Sequence, residues 1–208
     1  GAIRNLGTLT VMNSTFVNNS ASSGGGAIMN QSTLTVSDST FFGSSSSGIN
    51  GGGAIFNVSS LTVTGSTFSG NSSYAGGGIR NAGTLTLANS IVAGNSATSS
   101  YADISGNYTD DGGNVVGTGT GTTSTINPQL APLGNYGGPT QTMIPLPGSA
   151  VICAGALGNV GSVTVDERGD ARTTTYGGTT CVDSGAVETS YSLTFPQQPG
   201  GEAASATL

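Results

Sequence analysis

The sequence predicts an all-β chain wound as a right-handed parallel β-helix, and three observations carry the prediction. One short phrase is repeated four times, its internal spacing never changes, and its residues alternate polar and apolar. The copies open at Gly1-Ala2-Ile3, Gly26-Ala27-Ile28, Gly53-Ala54-Ile55 and Gly77-Gly78-Ile79, so successive Ile residues are 25, 27 and 24 apart. A coil therefore takes about 24–27 residues. From each Ile to the following Phe16, Phe41, Phe68 or Val92 the distance is constant, and the length variation falls in stretches such as 44–48 and 71–75. The expectation is a fixed frame with one tolerant loop corner. Such units bury their apolar face only by stacking on one another.

Each rung has its own reason. In Thr8-Leu9-Thr10-Val11 the period is two, which turns Leu and Val inward and both threonines outward. Stacking the coils gives internal columns of Ile3, Ile28, Ile55 and Ile79, then Leu9, Leu34, Leu61 and Leu85, then Phe16, Phe41 and Phe68. Val11, Val36, Val63 and Leu87 form a further column. Asn5, Asn30, Asn57 and Asn81 stand where one strand turns into the next, and Asn tolerates left-handed backbone and bonds its own turn. Stacked amides also bond along a column. The runs 24–26, 51–53 and 76–78 are all glycine, for positive φ or close backbone approach. Helix is excluded by 36 glycines among 208 residues.

Gly25-Gly26-Ala27-Ile28 with Phe16-Val17-Asn18-Asn19, and Gly52-Gly53-Ala54-Ile55 with Phe68-Ser69-Gly70-Asn71, pair a GGAI motif with an FxxN motif. These resemble the repeats of polymorphic outer-membrane proteins and of the wider pectate-lyase-like β-helices of bacterial surface proteins, over residues 1–105. Ser44 and Val92 depart from the pattern. Regularity fades after Ile104. The ordered motifs Asn127-Pro128-Gln129-Leu130, Gly137-Gly138-Pro139-Thr140, Leu146-Pro147-Gly148-Ser149, Asp166-Glu167-Arg168-Gly169 and Asp183-Ser184-Gly185-Ala186-Val187-Glu188 resemble a choice-of-anchor Q domain. That resemblance implies irregular coils and a cap over 106–188, and surface display. Residues 189–208 form an extended tail in which Tyr191, Leu193 and Phe195 alternate like a strand, resembling the start of an Ig-like module. The chain opens at Gly1 in mid-repeat, as a processed product or a piece of a longer chain does.

Composition narrows the function. The net charge is −6 with four arginines, no lysine and no histidine, which disfavours nucleic acid and anionic membranes as partners. No run is apolar enough to insert in a membrane. Cys153 and Cys181 are an even pair in a chain of secreted character, so a disulfide is expected and a metal site is not.

A polysaccharide lyase needs a base with clustered cations or calcium, and a glycosidase needs facing carboxylates. Asp103, Asp110 and Asp111 are the only acids grouped near the coils, and as a calcium loop they have Tyr108 and Asn114 at the wrong places, so a solvated turn is expected. In Arg168-Gly169-Asp170 the arginine is expected to pair internally with Asp166 or Asp170 rather than to bind a receptor. Two outward columns, Thr8, Thr33, Ser60, Thr84 and Thr10, Thr35, Thr62, Thr86, resemble the flat arrays of ice-binding solenoids. The expectation is a non-enzymatic structural module, without cofactor, of a secreted or cell-surface bacterial protein: an adhesin stalk, or a filament subunit that self-associates head to tail or meets neighbouring domains of a longer chain. A glycan- or ice-binding β-helix is the alternative, and a polysaccharide enzyme stands behind both.

Overall fold

The computed structural model describes residues 1–123, 126–161, 163–176, 178–194 and 205–207. The chain is a parallel β-solenoid of about five turns with four sheets around its core. Ile3–Asn5, Ile28–Asn30, Ile55–Asn57, Ile79–Asn81 and Ile104–Ser105 pair in parallel as the first sheet, which Thr118–Gly119 extends. Thr8–Met12, Thr33–Ser37, Ser60–Thr64, Thr84–Ala88 and Thr109–Asp110 make the second. Thr15–Val17, Thr40–Phe42, Thr67–Ser69, Ile91–Val92 and Val115–Val116 make the third.

Registry follows the sequence columns rung by rung. Ile3 faces Ile28, Ile28 faces Ile55 and Ile55 faces Ile79, while Leu9, Leu34, Leu61 and Leu85 align in the second sheet. Ile28, Ile55, Ile79, Leu34, Leu61, Leu85, Phe41 and Phe68 are buried, whereas Ile3, Leu9 and Phe16 on the first coil are partly buried. Phe16, Phe41 and Phe68 stack with ring centroids 4.7 and 4.5 Å apart and planes within 3°. Fully burying a side chain of this size contributes about 1.5–3 kcal/mol.

The expected tolerant corner contains a fourth parallel sheet, made of Ser20–Ala21, Ser45–Ser46, Ser72–Ala75 and Ser96–Ser100. Its serines carry no alternation to announce a strand, and its register shifts between Ser73 and Ala75. The glycine corner works mainly by close approach. A Cβ on Gly26 would lie 2.1 Å from the Gly53 carbonyl oxygen, and one on Gly53 would lie 1.9 Å from that of Gly77.

Left-handed backbone falls elsewhere than the Asn5 column. Asn13, Asp38, Gly65, Asn89 and Gly113 form one positive-φ column between the second and third sheets, and Asn18, Gly43, Gly70 and Gly94 form another after the third. Asn5, Asn30, Asn57 and Asn81 instead sit at strand ends, where the side-chain oxygen accepts a backbone N–H two residues ahead, as from Gly7 at 3.1 Å and Gly83 at 3.3 Å. Their amides bond from coil to coil, each Nδ2 donating to the next Oδ1 at 2.7 Å.

Irregular coils continue to residue 123, but the expected cap takes a different course. The described residues between 127 and 189 run back along the outer face of the third sheet, touching every coil. Thr15 of the first coil donates to the Gln141 carbonyl, and Ala186 N–H donates to Thr67 Oγ1 of the third. Gly185 N–H reaches the Asn89 carbonyl of the fourth, and Ser184 reaches the Gly113 carbonyl of the fifth.

The physical reason lies in the outward positions of that sheet. Thr15, Thr40 and Thr67 give way to Ile91 and Val115, which need cover and form a second apolar cluster with Ala93, Val151 and Leu130. Gly185 presses so closely on the sheet that a Cβ there would meet Ile91 Cδ1 at 2.7 Å. In the tail, Ser192–Thr194 pairs antiparallel with Ser205–Thr207, so Leu193 faces Ala206 of its own chain. The Tyr191 hydroxyl donates to the Pro145 carbonyl, and Phe195 lies outside the described residues.

Candidate functional site

The groups with most chemistry in them meet where this flank lies on the third sheet. Asp38, Asp166, Glu167, Asp183, Glu188 and Arg172 are all buried there, and Arg168 is nearly so. Five buried carboxyls thus meet two guanidinium groups, of which Arg172 is buried and Arg168 keeps a partly exposed edge.

Glu167 is held by a fan of hydroxyls. Thr15 at 2.8 Å and Thr140 at 3.2 Å reach Oε1, while Thr40 at 2.5 Å and Thr142 at 3.0 Å reach Oε2. Two of these threonines belong to the solenoid and two to the flank, so the carboxyl ties both. Burial pushes it up to about 7, against the pull of the four hydroxyls.

Asp166 forms the next knot. It accepts the N–H groups of Arg168, Asp170 and Glu188 at 2.8, 3.1 and 3.0 Å, and its Oδ2 also meets Arg168 Nη2 at 2.9 Å. The Arg168 guanidinium pairs as well with Asp170 at 3.1 Å and donates to the Glu188 carbonyl at 2.6 Å. Both expected internal pairings of Arg168 are therefore present, and they hold this arginine in place.

Asp183 accepts from Cys153 N–H at 2.7 Å and from the Thr189 hydroxyl at 2.6 Å, and its own N–H donates to Glu188 Oε2 at 2.8 Å. Burial raises Asp183, and burial followed by the Asp183 charge raises Glu188 to about 8. Beside this loop the disulfide between Cys153 and Cys181 is formed.

Asp38 and Arg172 complete the seam. Asp38 sits in the left-handed column of the solenoid and points at Arg172 Nε, 3.4 Å away, with neither carboxyl oxygen accepting a hydrogen bond. Burial raises Asp38 to about 7, the Arg172 charge opposes this, and Asp166 and Glu167 add to it. Arg172 also donates through Nη2 to the Gly185 and Asp183 carbonyls at 2.5 and 3.2 Å. It thus holds the Gly185 loop against the sheet.

The acids singled out near the coils separate. Asp103 is buried, not in a solvated turn. Its Oδ1 accepts Asn95 Nδ2 at 2.8 Å and its Oδ2 accepts Thr118 N–H at 2.7 Å, so it closes the amide column that starts with Asn71. Asp110 and Asp111 are exposed, and Asp110 caps the turn at Gly112 N–H. Among the described residues no three His, Cys, Asp or Glu side chains group as a metal site.

On the second sheet both threonine columns are aligned. Thr10, Thr35, Thr62, Thr86 and Thr109 pair in register, and none of them is buried. The seam residues Asp38, Glu167 and Arg172 were not foreseen as one unit. The available signals were Asp38, the only acid before Asp103, and the replacement of outward threonine by Ile91.

No protein-family model matches the chain, and no curated protein or solved structure matches it either.

Proposed function

We propose that the chain is a non-enzymatic structural module of a secreted or cell-surface bacterial protein, a stiff segment of an adhesin stalk or extracellular filament. One observation carries this reading: backbone ladders, amide columns and ring stacks all run along the solenoid axis, so each inner coil is fastened to two others. A load along the axis is then shared by many parallel hydrogen bonds. The disulfide fits an oxidising compartment.

The free edge of the first coil shows partly buried Ile3, Leu9 and Phe16, whose counterparts one coil on are buried. Such an edge takes a further coil, from the same chain or from a second copy stacked head to tail, and the second arrangement gives an open filament. Electron microscopy and size-exclusion chromatography with light scattering test it. Rods joined end to end support the filament; a strict monomer at high concentration removes it. Release of oligosaccharides from any polysaccharide panel would overturn the structural reading itself.

The threonine columns favour a second reading, a binding face for ice or a flat glycan. Neighbouring threonines there repeat at about 4.8 Å between coils and about 7 Å along a strand. Thr35→Lys and Thr62→Lys would abolish thermal hysteresis or glycan retention if this face binds. They leave a rod unaffected.

A further inference from the structure

A second surface, on the outer side of the first sheet, has the chemistry of a ligand site. Arg4, Met29, Phe56 and Arg80 project there in one register column, each paired to the next. The column borders a groove of about 470 Å³, lined by Arg4, Gly24, Met29, Gln31, Asn50 and Phe56. Its wall comes from the corner of the longest coil, the one with 27 residues between Ile28 and Ile55. Arg80 fixes that wall by donating to the Ile49 carbonyl at 2.6 Å, with its guanidinium carbon 5.5 Å above the Phe56 ring.

We infer that this groove binds a terminal acidic sugar, a single ring carrying a carboxylate. Arg4 uses Nε on Gln31 Oε1 at 2.7 Å, which orients the guanidinium and leaves both Nη nitrogens open. Two parallel N–H donors match a planar carboxylate. The Gln31 Nε2 amide and Asn50 supply groups for ring hydroxyls, and Met29 with the Phe56 ring offers an apolar floor to the C–H face of a sugar.

Charge points the same way. No described carboxylate lines the groove: Asp38 and the flank acids lie behind the third sheet, and Asp110 and Asp111 are on the fifth coil. In a chain of net charge −6 both solenoid arginines, Arg4 and Arg80, stand on this one face. An anion is repelled elsewhere and attracted here. The volume suits one or two rings rather than a long stretch of polymer. The groove also reaches Gly1 and Ile3 of the first coil, so its test reads a small ligand on the lateral face of the first three coils and fails separately from the assembly test of the rod.

A matched pair of probes tests it on the full chain. Methyl β-glucuronide and methyl β-glucoside differ only in the carboxylate, and inorganic phosphate presents an anion without a ring. Titration followed by NMR at the Gln31 and Asn50 side-chain amides should show saturable binding of the glucuronide, at least about tenfold tighter than the glucoside. Arg4→Gln should erase that preference with an unchanged melting temperature, since the side chain is exposed. Ser99→Gln, exposed on the fourth sheet, should leave it intact. Equal binding of the two glycosides, phosphate binding as tight as the glucuronide, an Arg4→Gln chain that keeps the preference, or no binding at all would each overturn the assignment.

Discussion

The solenoid and the flank that lies on it are held by opposite means. In residues 1–123 one solution recurs from coil to coil, with Leu and Asn repeated over the first four coils, Phe over the first three and Ile over five, and the only buried acids are Asp38 and Asp103. Among the described residues of 127–189 the contacts follow no period, and Asp166, Glu167, Arg168, Arg172, Asp183 and Glu188 each fill a different place in one connected network. A periodic structure adds stability coil by coil. A network of buried charges is all or nothing, because losing one member leaves others uncompensated.

The sharpest break of that contrast is in the periodic half. Phe41→Ala removes a fully buried ring from between two stacked neighbours and should cost about 3–5 kcal/mol in urea unfolding. A cost below about 1 kcal/mol would mean the column is not load-sharing. Next in size, Arg172→Met should cost about 3 kcal/mol, because buried Asp38 loses its ion-pair partner and must either take up a proton or stay charged and unpaired. Adding Asp38→Asn should restore most of the loss. Failure of the double variant to recover would show that Arg172 acts through its carbonyl contacts at Gly185 and Asp183 instead.

Acidity separates the two regions without any substitution. Asp38, Glu167, Asp183 and Glu188 all stand above their ordinary values of 3.8 and 4.5 in the folded chain, so the folded state holds more protons than the unfolded one. Their contribution is complete below about pH 4 and is lost as pH rises through 7 to 8. Hydrogen exchange, corrected for its intrinsic pH dependence, should show the Ala186 and Thr189 amides losing protection between pH 5 and pH 9, while Ile55 and Leu61 keep theirs. Flank protection that grew with pH would refute the assignment of proton-rich docking. The smallest effect is expected at the amide column. Asn57→Ala leaves Asn30 Nδ2 and Asn81 Oδ1 each short of a partner, worth about 1–3 kcal/mol at the low end, since both retain backbone contacts.

The periodic half was legible because Ile28, Ile55 and Ile79 repeat one environment three times over. Columns of like residues are a redundant signal. The fourth sheet escaped notice because Ser45 and Ser72 pair through backbone alone and carry no apolar alternation. Placement of the flank was hidden for another reason: the contacts of Thr15 with Glu167 and of Asn89 with Ala156 span 152 and 67 residues and follow no period. Only Ile91 and Val115, apolar where Thr15, Thr40 and Thr67 stand in earlier coils, mark the third sheet as covered. Arg168 could be assigned its partners beforehand because both lie within two positions of it.

The asparagine amides also give the rod a direction. Backbone N–H groups fix each Oδ1 in place, so every Nδ2 in the column points toward the later coil, and the last one ends on the Asn107 carbonyl at 2.6 Å. The parallel column from Asn71 through Asn95 ends on Asp103, whose carboxylate can receive but not pass on a hydrogen bond. The two extremities are therefore chemically unlike, one asking for donors at Asn5 and the other already terminated. A coil stacked on the first one would have to arrive with an N–H in that position and the same polarity, and a mirror-facing arrangement of two first coils would set acceptor against acceptor.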